Sequence, residues 1–418
     1  MTADRTTRGS LTVPDPRGAR QWVLLLVLSG NMLLDAVEVS VVLLALPTIG
    51  GALGMSLPEA QWLMSGFALG FAALLVLGPW ICARLGRRRA YLGAMLLFVV
   101  ASVAGGTADS EALLVASRVV KGVCAALTAP TGLAVIATTF EEGPRRRRAV
   151  SVYALFGAVG FTAGLLLSAA FLAVNWRWTF LFPAPVALVL LLLAARTMTE
   201  EPGEGRRVTW VKPSLLRDGR LRNATIGAAT LNGGYVSLLL MVTFDLQQRL
   251  GWSPWRCALA LLPACVPLAV TVPFAGRLTA RFGTEKLITA GASTSLLGYA
   301  LYLLSPETRP YWSGTLPTLL LVETGFVLSF AALNMQATAG IRPAERGLAV
   351  PLYQTGVQLG AAVMLPLVAV LVTVRPTPRA ATLAIAAAGA LGLLAALAGL
   401  RGGALRRPGE HMGGPVHD

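Results

Sequence analysis

Histidine, cysteine and negative charge are all scarce in this chain. Of its 418 residues two are His, four are Cys and 20 are Asp or Glu. Both histidines, His411 and His417, lie beyond the last long apolar run, so a proton handled within the apolar part of the chain must use carboxylates. Cys82, Cys124, Cys257 and Cys265 fall in or at the ends of apolar runs with no close C-x-x-C pair, a pattern of small packing residues rather than of a metal or redox centre. Charged residues make up only 13% of the chain, too few for a soluble domain of this length. There is no nucleophile and base arrangement, no metal cluster and no phosphate-binding Gly loop, so the sequence predicts no enzyme chemistry and no cofactor. The first 21 residues are polar, carry four Arg and lack a small-residue cleavage site, which predicts an uncleaved first anchor.

What the chain has instead is apolar length. Hydrophobic residues make up 55% of it, and its mean hydropathy is +0.67. Apolar runs of about 18 to 25 residues recur, each able to cross a hydrocarbon core of about 30 Å at about 1.5 Å per residue. Twelve are read: spans 1 to 12 at 22–47, 58–82, 89–107, 112–137, 149–173, 178–195, 222–246, 255–276, 286–304, 314–339, 347–371 and 379–400.

The net charge of +15 invites comparison with nucleic-acid binders, but its placement argues otherwise. Of 35 Lys and Arg residues, 27 lie in the two tails and in the connections after the even-numbered spans. The positive-inside rule then predicts both termini in the cytoplasm and the chain in the cytoplasmic membrane, in contact with lipid and not with nucleic acid. The run Arg145 to Arg148 reads as an anchor against anionic lipid.

An internal repeat organises the spans. Ala83-Arg84-Leu85-Gly86 after span 2 recurs as Ala280-Arg281-Phe282-Gly283 after span 8, at an offset of 197 residues. Gly160 and Gly164 in span 5 recur as Gly356 and Gly360 in span 11, at an offset of 196. The predicted fold is an all-α membrane protein of twelve transmembrane helices in two pseudo-symmetric six-helix bundles. The predicted divisions are a cytoplasmic tail 1–21, a first bundle 22–195, a cytoplasmic linker 196–221, a second bundle 222–400 and a cytoplasmic tail 401–418.

Five ionisable residues interrupt the apolar runs, where each costs several kcal/mol unless paired or wetted. Asp35 and Glu38 lie in span 1, Arg118 and Lys121 in span 4, and Glu323 in span 10. Both pairs are spaced i, i+3, on one helix face. Counting from the span ends puts Glu38 and Lys121 at about the same depth, about 13 Å below one surface. If spans 1 and 4 are neighbours, the four residues are expected to form one compensated cluster. Glu323 has no evident cation partner in the second half, which makes it a candidate proton carrier or a counter-charge for a cationic substrate.

Uncharged polar residues add a candidate substrate surface: Asn31, Gln61, Asn232, Asn334, Gln336, Tyr353, Gln354 and Gln358. Each could equally bond a neighbouring helix. Pro263, Pro267 and Pro273 predict kinks in span 8.

Several segments carry a family resemblance. Ala45-Leu46-Pro47-Thr48-Ile49 closes span 1, Gly78 to Arg89 reads GPWICARLGRRR, span 4 contains Arg118-Val119-Val120-Lys121-Gly122, span 5 runs from Gly157 to Ala169, and Trp176-Arg177-Trp178-Thr179-Phe180 leads into span 6. Over nearly its whole length the chain resembles the major facilitator superfamily, specifically its proton-driven bacterial drug and antibiotic exporters, in a twelve-helix form. The resemblance implies that Glu38 stands where the family has its membrane-embedded Asp and that Arg118 assists proton transfer. It implies a gating loop at Gly78, Arg84, Gly86, Arg87 and Arg88, and packing or hinge glycines at Gly157, Gly160, Gly164, Gly356 and Gly360. The chain departs from the family where the gating-loop Asp is Ala83, its counterpart is Ala280, the span 4 Gln is Lys121, and the span 5 motif reads Gly164-Leu165 and Ser168-Ala169.

The expected function is proton-coupled efflux of a hydrophobic or amphipathic small molecule by a monomer through alternating access. Protons would bind Glu38 with Asp35, tuned by Arg118 and Lys121, while Glu323 helps select substrate. Two alternatives stay open: a uniporter or importer of a small metabolite, and a non-cycling protein that binds, senses or transforms a ligand in its cavity.

Overall fold

The structure is a computed structural model that describes residues 16–140, 143–199, 215, 217–271, 274–305, 310–374 and 378–404. Within these residues the regular structure is entirely helical. Span 1 is Pro16–Leu53, span 3 Arg87–Gly106, span 4 Glu111–Thr139, span 5 Pro144–Leu172, span 9 Thr284–Leu304, span 11 Pro343–Val374 and span 12 Arg379–Ala404. Span 6 is Trp178–Leu181 followed by Pro183–Thr197, span 7 is Gly219–Phe244 with a π-helical end at Asp245–Arg249, and span 10 is a π-helical turn Tyr311–Thr315 followed by Leu316–Thr338. Ten of these described helices are long and apolar enough to cross a membrane. The remaining two spans are broken. Span 2 comprises Leu57–Ala60, Trp62–Leu75 and Gly78–Leu85, and its last piece is bent by 59°. Span 8 is Pro254–Thr271 and Ala275–Phe282 on either side of residues 272–274. Pro263 and Pro267 lie inside the first of these helices, while Pro273 falls outside the described residues.

Local chemistry sets these helices. Ser110 caps span 4 by accepting a bond from the Leu113 amide, and Asp218 caps span 7 by accepting from Arg220 and Leu221, so exposed N-terminal donors are satisfied. Hydroxyls inside the spans bond back one turn, as Thr128 does to Cys124 O and Thr131 to Leu127 O, which suits a solvent that offers no partners. Span 1 continues through Pro47 to Leu53. Glu38 therefore lies about 22 Å from that end rather than the expected 13 Å.

The repeat is visible in the packing. Span 1 lies along span 5, span 2 on span 4, and span 3 on spans 4 and 6; span 7 lies along span 11, span 8 on span 10, and span 9 on spans 10 and 12. Adding six to each number in the first set gives the second. The contacts between halves obey the same rule, since span 2 meets span 11 and span 5 meets span 8. The glycine caps match too: Gly86 has φ +83° and Gly283 φ +79°, each ending a short helix whose last turn holds an Arg. Only glycine adopts that conformation without strain.

The packing glycines repeat with a one-turn difference. A Cβ at Gly160 would meet the Leu33 carbonyl of span 1, yet the residue 196 positions on, Ala229 of span 7, is met by Gly360. Gly164 packs on Val37 and Ser40, Gly356 on Thr225, and Gly157 on Met32.

The apolar cores show how the halves are joined. On the side away from the start of span 1, one continuous core takes in Val41 to Ile49, Leu238 to Leu246, Cys257 to Cys265 and Ala361 to Val368, so it belongs to both halves. On the side where span 1 begins there are two cores. One holds Leu25, Tyr91, Ile136 and Tyr153 of the first half, the other Leu221, Ile288, Leu333 and Tyr353 of the second. The halves thus share one core on the far side and keep separate cores towards the side of span 1's start. Gln247 Nε2 donates to Leu44 O at 2.8 Å within this shared core, and outside it Thr355 Oγ1 donates to Ala72 O at 3.4 Å between the halves.

Candidate functional site

Span 1 supplies Glu38 and span 4 supplies Arg118 and Lys121, whose i, i+3 spacing turns both cations to span 1. Arg118 Nη1 donates to Glu38 Oε2 at 2.6 Å, and Lys121 Nζ donates to Oε1 at 2.9 Å and Oε2 at 3.1 Å. Arg118 is also bound to the backbone, through Nη2 to Glu38 O at 3.2 Å and Nε to Leu63 O at 2.7 Å. All three side chains are at most 1% exposed. Aromatic faces complete the enclosure: Phe67 lies 4.7 Å from the guanidinium carbon, and Phe98 and Phe180 lie 5.1 and 5.3 Å from Lys121 Nζ, where ring quadrupoles favour a cation.

Close helix approach makes this geometry possible. A Cβ at Gly122 of span 4 would strike the Phe67 carbonyl of span 2, and one at Gly70 the Val119 carbonyl. The backbones therefore touch, which brings Leu63 O within reach of Arg118. Behind Glu38, Ser168 Oγ donates to Val41 O at 2.7 Å and fixes span 5 against span 1.

The expected four-charge cluster has three members. Asp35 accepts a 3.1 Å bond from Asn31 Nδ2 and forms no ion pair among the described residues. Three residues along a helix leave the two acids about 60° apart, and Asp35 turns instead towards Tyr91, Tyr153 and Cys124, with which it interacts electrostatically.

Glu323 of span 10 is 2% exposed, also without an ion pair among the described residues. It faces Tyr235 of span 7 and Cys265 of span 8. From Tyr235 an aromatic row runs along the second half: Tyr235 stacks on Phe326 at 4.5 Å, Phe326 on Phe330 at 5.1 Å, and Phe330 meets Tyr353 at 6.5 Å. Glu323 Oε2, Tyr299 Oη and Tyr353 Oη are buried without hydrogen-bond partners.

The other polar residues separate into two groups. Gln61 bonds Pro58 O and Ser65 within its own span, Asn232 donates to Val357 O, and Gln336 donates to Ala396 O, so each ties backbone or neighbouring helices. Asn334, Gln354 and Gln358 are half-buried. At the end of span 2, Gly78 is buried and opens the bent piece, Arg84 lies 4.6 Å over Trp80, and Arg88 Nη2 donates to Ala195 O at 2.8 Å. Arg87 follows the Gly86 cap as the first residue of span 3.

Sequence reading missed the aromatic components, Phe67, Phe98 and Phe180 around the cations and Tyr235, Phe326 and Phe330 beside Glu323. The i, i+4 pair Phe326 and Phe330, three residues beyond an unpaired acid, was the available signal.

Two matched six-span halves, with a shared core on one side and separate cores on the other, a buried acid clamped by cations in one half and, among the described residues, an acid without an ion pair in the other, define a membrane protein of the two-halves transporter class. The chain belongs to the Major Facilitator Superfamily, whose sequence profile matches residues 28–365. It is 30% identical over 409 residues to the puromycin resistance protein of Streptomyces alboniger, covering 84% of this chain and 80% of that one. It is 29% identical over 398 residues to the cephamycin export protein of Amycolatopsis lactamdurans, covering 81% of each. With the multidrug efflux pump LfrA of Mycolicibacterium smegmatis the identity is 26%, covering 82% of this chain and 79% of the pump. The fold matches a crystal structure of the nucleoside transporter NupG with a TM-score of 0.73, at 12% identity, over 91% of this chain and 99% of that chain. That likeness shows the fold alone.

Proposed function

We propose that this protein exports a hydrophobic or amphipathic small molecule of drug or antibiotic type, driven by protons, by alternating access between halves 22–195 and 222–400 joined through 196–221. The observation that carries the proposal is the Glu38 clamp, an acid fully buried between two cations within a membrane span. Relatives named for puromycin resistance, cephamycin export and multidrug efflux support the substrate class. The basic connections support a reading with both termini in the cytoplasm and the protein in the cytoplasmic membrane, and the protein is taken to act as a monomer. With that orientation the shared core faces out and the separate cores face the cytoplasm, as an exporter needs when loading. Glu323, Tyr235 and the aromatic row beyond them form the surface that receives substrate in the second half, where a planar or cationic molecule gains stacking and charge complementarity.

A change of charge in the clamp alters the cost of sealing it from water, and that difference biases the halves between their two arrangements. The test is pH-gradient-driven uptake of puromycin or a cephamycin into inverted vesicles. Glu38→Gln is expected to lose gradient-driven transport by at least about ten-fold, the result of removing one essential interaction of about 1.4 kcal/mol or more. Transport by Glu38→Gln that equals the wild type and stays proton-coupled would overturn the proposal.

A further inference from the structure

We propose that Lys121 is the group whose proton leaves and returns during the cycle, with Glu38 as its fixed counter-ion and Arg118 as the permanent cation that holds Glu38 in place. The proposal rests on the proton-coupled reading above and names the atom that carries it out.

The first argument is charge balance. The enclosure holds one carboxylate and two cations, each at most 1% exposed, so with all three ionised it carries one surplus positive charge. Asp35 interacts electrostatically with Glu38 one turn away, but its carboxylate bonds Asn31 and neither cation, so it does not pair the surplus at contact distance. Adding a proton to Glu38 would leave two unopposed cations in a sealed site. Removing one from Lys121 leaves the neutral pair of Glu38 and Arg118 beside an uncharged amine. A low-dielectric site tolerates the second change far better than the first.

The second argument is geometric. Arg118 cannot discharge, and three of its nitrogens are committed, to Glu38 Oε2, Glu38 O and Leu63 O. Among the described residues Lys121 has a single hydrogen-bond anchor, the Glu38 carboxylate. The groups that face it are Glu38 from span 1, Arg118 and Cys124 from its own span, Phe98 from span 3 and Phe180 from span 6. Losing a proton from Nζ therefore breaks no bond to a second acceptor, and a neutral amine keeps two N–H donors for Glu38. In the step, one N–H bond breaks, its electron pair stays on nitrogen, and the proton passes to water on the side to which the cleft is open. The reverse step takes a proton from water on the other side.

The third argument is composition. Of 35 basic residues 32 are Arg and three are Lys: Lys121, Lys212 and Lys286. A chain that uses Arg at almost every cationic position places the one side chain that can discharge at a site where discharge restores neutrality. Lys286 is exposed at the start of span 9.

The small number of lysines makes the test direct. In the Lys212→Arg, Lys286→Arg protein grown with 13C-lysine, every lysine signal comes from Lys121. Its side-chain resonance is expected to pass from the ammonium to the amine position as pH is raised across the range in which vesicle transport is measured. A resonance fixed at the ammonium position across that range would overturn the proposal, whether or not the protein transports. Lys121→Arg in vesicles supplies the functional arm. A permanent cation is expected to reduce pH-gradient-driven puromycin transport at least ten-fold while gradient-free exchange continues, and wild-type coupling in Lys121→Arg would equally overturn it. Should Lys121→Arg fail to fold, the spectroscopic titration still decides, since it leaves the site intact. Absence of proton-driven transport in the wild type would count against the export reading alone.

Discussion

Arg118 and Lys121 share one acid yet hold it differently. Arg118 joins three helices, since its nitrogens reach Glu38 on span 1 and Leu63 O on span 2 from span 4. Its removal strands the buried Leu63 carbonyl while Lys121 still pairs Glu38, so Arg118→Met is expected to cost about 1 to 3 kcal/mol in the stability of the purified protein. Arg118→Lys should recover little of that, because an ammonium cannot span the same three acceptors. A loss below about 1 kcal/mol in thermal or denaturant unfolding would show that the guanidinium does not join the helices. The three buried charges were legible in the sequence because charge in an apolar run is rare. Which acid they bind was not, since Asp35 and Glu38 differ only by a rotation of about 60° on one helix. Tyr235 and Phe326 were silent for another reason: an aromatic residue in an apolar run carries no contrast until a neighbour is known.

Among the helices, glycines of the same span carry opposite meanings. A Cβ at Gly360 would run into the Ala229 backbone of span 7, whereas one at Gly347, in the exposed first turns of the same span 11 helix, meets nothing within 4 Å. Gly360→Ala is therefore expected to destabilise by about 1 to 3 kcal/mol through forced separation of spans 7 and 11. Gly347→Ala should stabilise by about 0.5 to 1 kcal/mol through reduced backbone entropy in the unfolded chain. Unfolding midpoints of the two variants moving in the same direction would contradict this packing. The sequence identified Gly360 through its repeat, but its partner one turn out of register emerged only from the contacts. Bends divide in the same way. Pro263 and Pro267 were expected to kink span 8, and Pro254–Thr271 runs through both as one helix. The 59° bend falls in span 2, where Pro79 follows Gly78 at the start of the last piece. There the ring displaces the carbonyl of Leu75 and no donor is available to rejoin it.

For the molecule as a whole, the far-side core is the element that makes two halves one protein. It draws on spans 1, 5, 7, 8 and 11, and the bond from Gln247 to Leu44 crosses it. Since this core needs no chain connection, the two halves expressed as separate polypeptides cut within 196–221 are expected to copurify from one membrane. Recovery of either half without its partner would show that the connection, not the core, holds them together. The number of spans, their grouping into a repeated unit of six and the presence of ionisable residues within them were determined by the sequence alone, because apolar length and charge asymmetry act along the chain. Tertiary structure alone decided that Asp35 stands outside the clamp, that Arg118 and Lys121 both bind Glu38, and that the halves share one core on the far side and keep separate cores on the other. Those outcomes depend on helix rotation and on backbone approach at glycine, which place residues from distant spans within 3 Å and leave no trace in the order of residues along one span.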